Sequence, residues 1–249
     1  KENNMAIGIP SASPAVVVRE IDLSGTVPNV QSTTGAFVGN FRWGPVETVV
    51  DVSNESTLAS TFATPDATTT VDFHTAAFYL KYSSNLKVVR TVTDAAKNAA
   101  DSDQTGFAPL IKNLDDFNAQ SLSLDSDGHT FIAKYPGDLG NTLEVSVCPA
   151  DSTSFDSWTY KSFFDIAPGT SFYGIDKGTT NDEVHVVVVD STGAFGAVGG
   201  VLETFAHVSL ASDAKTGNGS VNYIKDVINS NSSFVWFAGF DADFVSAGA

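Results

Sequence analysis

Apolar and polar positions alternate most clearly in Gly35-Ala-Phe-Val-Gly-Asn-Phe-Arg-Trp-Gly-Pro45, where Phe37, Phe41 and Trp43 fall on one side and Val38, Asn40 and Arg42 on the other. A period of two is that of a strand with one buried face, so the pattern predicts a strand over 34–43, stopped by Gly44 and Pro45. A short strand over 48–52 comes next. Ser53 is placed to cap a helix that runs to Phe62, with Glu55 in its first turn, Leu58 and Phe62 one turn apart, and Thr64-Pro65 as its stop. Asp72 is placed to cap a second helix whose Phe73, Ala76, Ala77 and Leu80 share a face, and 86–92 reads as a strand with Leu86, Val88 and Val92 on one side. This unit of two helices among short strands is too small for a comfortable core of its own. Its apolar side chains, Phe37, Phe41, Trp43, Phe73 and Leu80, are expected to need a covering layer from outside residues 94–249.

From Thr93 the composition turns small and polar, which reads as a linker into a second region. That region carries Phe131-Ile-Ala, the turn Tyr135-Pro-Gly-Asp-Leu-Gly-Asn141 and a strand over 142–148. The nearly pure valine strand 184–189 and the segment 201–210 are expected to pair as a hairpin around the glycine-rich connection 191–200, a long loop with little to bury. Val221, Ile224 and Ile228 fit one helix face, and 234–240 reads as a final strand.

Ahead of all this, Pro10 and Pro14 disfavour helix in a segment over 6–25 whose β-branched run places Val16 and Val18 on one side and Val17, Ile21 and Leu23 on the other. Such an arm reads either as an edge strand of its own domain or as a strand added to another subunit's sheet. Met5-Ala-Ile-Gly-Ile-Pro resembles a natural start, which leaves 1–4 outside the fold reasoning.

Composition narrows the function classes. Of 249 residues 42% are apolar, enough for real cores, and the single Cys148 can form no disulfide within the chain. A formal charge of −16, from 29 acidic against 13 basic residues, opposes direct binding to nucleic acid or anionic lipid, which need clustered Lys and Arg. No apolar run is long enough to cross a bilayer and no signal-peptide layout opens the chain, so neither membrane insertion nor secretion by that route is expected.

The search for chemistry yields no catalytic, cofactor or metal residues. His74, His129, His185 and His207 lack paired ligand spacing and read as satisfied or surface histidines. Cys148 lies in an alternating strand with no activating signature and reads as a small core residue. Asp125-Ser-Asp127-Gly128 departs from a calcium loop, because its glycine comes too early and no glutamate closes it. Asp115 and Asp116 are adjacent and diverge, and the glycines from Gly193 to Gly200 match no phosphate-binding loop.

The distinctive residues that remain match a family. Ser13-Pro-Ala-Val-Val-Val-Arg-Glu-Ile21, then Ser32 to Val46 with its Gly-Asn-Phe-Arg-Trp-Gly-Pro, then Ser53-Asn-Glu with Thr61-Phe62 and Pro65, then Phe78-Tyr-Leu-Lys-Tyr-Ser-Ser-Asn-Leu-Lys-Val-Val-Arg90 resemble, in order and spacing, the contractile tail sheath proteins of myovirus-type phages. Tyr135-Pro-Gly-Asp-Leu-Gly140, the strand and loop over 184–200 and Val201 to Ser209 extend the resemblance over most of the chain.

The resemblance implies an α+β fold: an N-terminal extended arm (6–25), the N-terminal half of a small mixed α/β assembly core (26–93), and an inserted, mainly β outward domain (94–249), the other half of the core not being in this sequence. It implies a structural subunit and not an enzyme, without cofactors, that polymerises as stacked hexameric rings around the tail tube and contracts to drive the tube through the host envelope. Its partners would be itself, the tail tube protein, and baseplate and tail terminator proteins, with no direct nucleic acid contact, in a virion assembled from protein made in the host cytoplasm. Strand exchange between subunits would be carried by Val16, Val17, Val18, Arg19, Glu20 and Ile21, and the core motif by Phe37, Phe41, Trp43, Gly44 and Pro45. A bacterial contractile injection sheath is the alternative with the same fold. A secreted β-rich enzyme or carbohydrate-binding module is the alternative from another class, disfavoured by the missing catalytic constellation.

Overall fold

A computed structural model of the chain describes residues 34–101, 109–120, 122, 129–150, 152–240 and 244. The arm over 6–25, with the exchange residues Val16 to Ile21, lies outside the described residues.

The first sheet holds β1 (Gly35–Gly39), β2 (Val49–Val52) and β3 (Leu86–Arg90) in the order β1-β3-β2, with β1 parallel and β2 antiparallel to the central strand. Two helices, α1 (Glu55–Phe62) and α2 (Thr70–Leu80), occupy the connection between β2 and β3. Apolar side chains from both meet the sheet in one cluster: Leu58 and Phe62 from α1, Phe73, Ala76 and Ala77 from α2, and Phe41, Val52, Leu86 and Val88. Burying side chains of this size contributes roughly 1.5–3 kcal/mol each. The small unit therefore does bury Phe41 and Phe73 with its own helices, against the expectation that they wait for an outside layer.

The strand expected over 86–92 ends at Arg90, short of Val92, and three other boundaries differ from the sequence pattern for identifiable reasons. Strand β1 ends at Gly39 rather than 43, because the Asn40 N–H turns to the Asp72 carboxylate at 2.7 Å and the following carbonyl groups turn to Arg90. The first helix is capped by Asn54, whose side chain accepts from the Thr57 N–H at 2.8 Å, one residue later than Ser53. Asp72 lies inside α2 and not at its cap, since its carboxylate is committed to Asn40 and the Asp66 carboxylate organises the preceding turn through Thr68 and Thr69.

The second region adds two sheets. Strands β4 (His129–Ala133) and β8 (Val235–Phe240) pair antiparallel, and β5 (Leu143–Cys148), β6 (Glu183–Asp190) and β7 (Gly200–Ser209) form an antiparallel sheet in that order. The β6–β7 pair is the hairpin the valine run predicts. Valine fills β6 because both of its faces are covered, the situation in which alternation disappears. Val184, Val186 and Val188 face a core with Phe131, Phe205, Ile224, Ile228 and Phe237, while Val187 and Val189 face Cys148, Phe155 and Trp158.

Short helices α3 (Leu114–Ala119), α4 (Ser152–Ser157), α5 (Phe172–Lys177) and α6 (Ile224–Asn231) decorate these sheets. Ile224 and Ile228 share the buried face of α6 as expected, but Val221 precedes the helix and is exposed. The stretch read as a linker is packed instead. Asn98 is buried and its side-chain amide donates to the carbonyl oxygens of Ile111 and Ala133 and accepts from the Ile111 N–H, while Ala100 bridges to Ile132. The small polar residues there are backbone partners, a role that composition does not distinguish from a loose connection.

Candidate assembly surface and the joint behind it

Alternation along β3 puts Leu86, Val88 and Arg90 on one buried face, so a cation occupies a position that the pattern reserves for apolar groups. Arg90 is 2% exposed, and its guanidinium makes a ring of hydrogen bonds to carbonyl oxygens: Nε to Phe41 at 2.7 Å, Nη1 to Gly44 at 2.9 Å, and Nη2 to Arg42 at 3.3 Å and Pro136 at 2.7 Å. Three of these oxygens lie just past β1 and the fourth lies in the Tyr135-Pro-Gly turn. Burial pulls the guanidinium down to about 10, so it remains cationic at neutral pH. The planar fork satisfies several acceptors that the bend after β1 would otherwise bury unpaired.

The same bend aims Trp43 away from the first cluster and into a second. Its ring meets Tyr135 at 5.3 Å, Phe195 at 5.1 Å and Phe234 at 6.4 Å between centroids, over Ala63, Ala133 and Leu139. Trp43 is thus covered by residues from 94–249, which corrects the expectation that its cover comes from elsewhere. Of the other motif residues, Phe37 is half-buried with its ring 6.1 Å from Phe41, and Pro45 is half-buried beside the fully buried Val46. Gly44 has φ +99, and a Cβ there would sit 2.7 Å from the Thr61 carbonyl oxygen, so the position requires glycine.

Phe195 is presented by the glycine-rich loop, and a buried carboxylate fixes that loop. Asp190, at the end of β6, accepts through Oδ1 from the N–H groups of Gly193 at 2.9 Å and Ala194 at 3.0 Å, and through Oδ2 from Phe195 at 2.6 Å and Gly196 at 3.0 Å. Burial by itself raises the Asp190 pKa, and these N–H groups outweigh it and hold the carboxyl below its ordinary range. The loop read as having little to bury is therefore wound around one charge, and it carries an aromatic ring into the joint.

Beside Arg90 opens a cleft of about 410 Å³ whose lining includes Asn40, Arg42, Asp66, Thr93, Gly137 and Asp138. Arg42 and Asp66 form an ion pair at 3.3 Å, and hydrogen bonds from the Thr68 hydroxyl and from Thr69 hold the Asp66 carboxyl at about 2. These groups satisfy one another.

The face of the first sheet opposite the helices is different. Register places Val38, Val89 and Val49 in one row across all three strands, and Ala36, Lys87 and Asp51 in the row beside it, with Lys87 and Asp51 ion-paired. Val38 is 64% and Val49 58% exposed. A cross-strand valine row is the unit that normally packs a sheet against a second layer. Strands β1 and β2 are the outer strands of this sheet. On the other side, α2 turns Val71 and Phe78 to solvent, and Tyr82 in the turn after it is exposed as well.

Several of the described residues weighed for chemistry have structural partners. Cys148 is fully buried in the cluster with Phe155 and Trp158. Asp116 accepts from the Lys112 N–H while its own N–H donates to the Asn113 side chain, a reciprocal cap on α3 with Asp115 beside it. Asp125 and Asp127 lie outside the described residues, as does the His129 side chain, and His74 is exposed on α2. Among the described residues no three His, Cys, Asp or Glu groups gather as a metal site, and no helix is long and apolar enough to cross a membrane. One pairing that spacing did not suggest is that of His185 and His207, whose rings meet edge to face at 4.5 Å across the β6–β7 hairpin.

No protein-family model matches the chain. The tail sheath protein of Salmonella phage ViI is 35% identical over 214 residues, which is 85% of this chain and 31% of that protein. The tail sheath protein of Enterobacteria phage T4 is 34% identical over 127 residues, covering 51% of this chain and 18% of its own. The solved sheath tail protein of Listeria innocua aligns over 82% of this chain and 29% of its own at 14% identity and a TM-score of 0.40, a likeness too distant to carry an argument. The chain spans about a third, 31%, of the Salmonella phage protein, and the aligned stretch, at 35% identity, takes in 85% of this chain. By that identity, the sequence belongs to the tail sheath proteins of bacteriophages.

Proposed function

We propose that this chain is part of a structural subunit that polymerises helically around a phage tail tube and contracts to drive the tube through the host envelope. The observation that supports assembly is the valine row Val38–Val89–Val49, its two outer members exposed and Val89 half-buried, on a three-stranded sheet whose other face is filled. An open, head-to-tail stack of copies needs an apolar surface that does not close on itself, and a row of this kind supplies one. In this reading the segment with Val16, Val17, Val18, Arg19, Glu20 and Ile21 adds a strand to a neighbouring copy, residues 26–93 belong to an assembly core and 94–249 to an outward domain. The subunits form hexameric rings that engage tail tube, baseplate and terminator proteins. Contraction is then a transition between two packings of the same interfaces, and the joint at Arg90 and Trp43 carries motion from one region into the other.

The test is assembly of the whole protein that contains this sequence, viewed by negative-stain electron microscopy. The unaltered protein should form tubes or decorate tail tubes. The V38D/V49D double variant, and separately deletion of 6–23, should remain folded by circular dichroism and lose long tubes. Tubes of normal length from both would contradict the proposal.

A further inference from the structure

The β6–β7 ladder slips register between Val184 and Val186, so that His185 faces the bulge that holds His207, whose φ is +53. The His207 N–H turns from the ladder to a side chain. It donates instead to Nδ1 of His185 at 3.0 Å, while Nε2 of the same ring lies 2.9 Å from the Ile166 carbonyl oxygen. A ring that accepts at Nδ1 carries its proton on Nε2, so only the neutral Nε2–H form satisfies both partners. The ring is fully buried and stacks on Phe164 at 4.2 Å with 8° between planes, with Phe155 and Trp158 around it. It is one of several polar anchors that hold the segment 152–172 against the sheet, beside Trp158 Nε1 donating to Ser146 Oγ at 2.8 Å and the Ser171 hydroxyl donating to Asp182 at 2.6 Å.

The groups facing this ring are few. Strand β5 brings the Cys148 thiol as register partner, and the segment 152–172 brings aromatic rings, its Lys161 and Asp156 being paired with each other at the surface. Charge acts on it from His207 and Glu183. His207 Nδ1 lies 2.9 Å from Glu183 Oε2, which also accepts from the Gly169 N–H at 3.1 Å.

We propose that His185, His207 and Glu183 form an acid-operated latch that releases the segment 152–172 from the β5-β6-β7 sheet. A proton added at His185 Nδ1 points at the His207 N–H, donor against donor, and rotating the ring to escape breaks the bond to Ile166. The neighbouring His207 works against a charge on His185, while Glu183 favours it. Burial, the main cause, lowers the His185 pKa from its ordinary 6.5. The sign follows: the latch stabilises the docked segment above about pH 6.5, and its contribution falls as pH drops from there toward the folded value.

The test is hydrogen exchange of the intact chain at about pH 7.5 and about pH 5, corrected for intrinsic rates. Amides within 158–170 should lose about tenfold or more of their protection at the lower pH, while β4 and β8 keep theirs. In H185Q, whose side chain carries no titrating proton, that selective loss should vanish. H185Q can itself loosen the segment, so the His185 ring proton followed by NMR in the unaltered chain is the second readout, and its titration must coincide with the loss of protection. Unchanged protection, loss shared equally by all three sheets, or a His185 ring that stays neutral while the segment opens would overturn the proposal.

Discussion

Trp43 and Phe195 meet edge to face with ring centroids 5.1 Å apart, joining the bend after β1 to the loop between β6 and β7. Replacing Trp43 with Ala should cost about 3–5 kcal/mol, since the ring fills a closed cluster with Tyr135 and Phe234. Chemical denaturation measures this. A double-mutant cycle with F195A should return a coupling of about 0.5–1.5 kcal/mol, and additive losses would mean that the loop and the bend do not share a core.

Arg90 makes a sharper case because no conservative replacement serves it. Lysine keeps the charge but offers one ammonium to the four carbonyl oxygens of Phe41, Arg42, Gly44 and Pro136, which lie on different sides of the guanidinium. R90K should lose about 2–4 kcal/mol in the same denaturation experiment, the cost of leaving buried acceptors unpaired. Stability within about 0.5 kcal/mol of the parent would show that the bend holds without this anchor.

Asp190 predicts a pH effect of definite sign. Its folded pKa lies below the ordinary carboxyl value, so its contribution is fully present above about pH 4 and is lost as pH falls through the folded value. D190N sets an amide donor among the N–H groups of Gly193 to Gly196 and should destabilise the chain by about 2–4 kcal/mol at pH 7. Its thermal midpoint should also change less with acid than that of the parent. Equal acid slopes in the two proteins would rule out the carboxylate as the organiser of the loop.

What the sequence made legible was apolar periodicity. The helix faces of α1 and α2, the hairpin of β6 and β7 and the strand at 235–240 follow from it, because burial of a face is a local, repeating signal. What it hid were single polar residues that satisfy backbone groups far away in the chain. Arg90 had a trace, the one cation in a buried-face position of a valine-rich strand, and Asp190 had another, an Asp followed by Ser-Thr-Gly at a strand end, where side-chain caps form. Asn98 had none, since Asn within Ala and Asp looks like a linker until its three partners are placed. The His185–His207 pairing was out of reach because a bulge decides it: Phe205 and Val208 face one core three residues apart, and that break in alternation does not say which strand residue lies opposite.

The loop over 191–200 illustrates the consequence. The amides of Gly193, Ala194, Phe195 and Gly196 bind a buried charge, so their hydrogen exchange should be slowed about a hundredfold or more relative to an open loop, and an insertion between 193 and 196 should destabilise the chain. Exchange at the intrinsic rate would restore the picture of a loose connection.

The central claim is that the open face of the first sheet is where copies of this protein meet. A cryo-electron microscopy map of the tail that contains this sequence tests it most directly, by fitting residues 34–240 into the repeating density outside the tube. The account predicts six copies in each ring of that density, with Val38, Val89 and Val49 buried against a neighbouring copy. A map in which this valine row faces solvent in every copy, or in which the chain has no place in the repeating density, would contradict it.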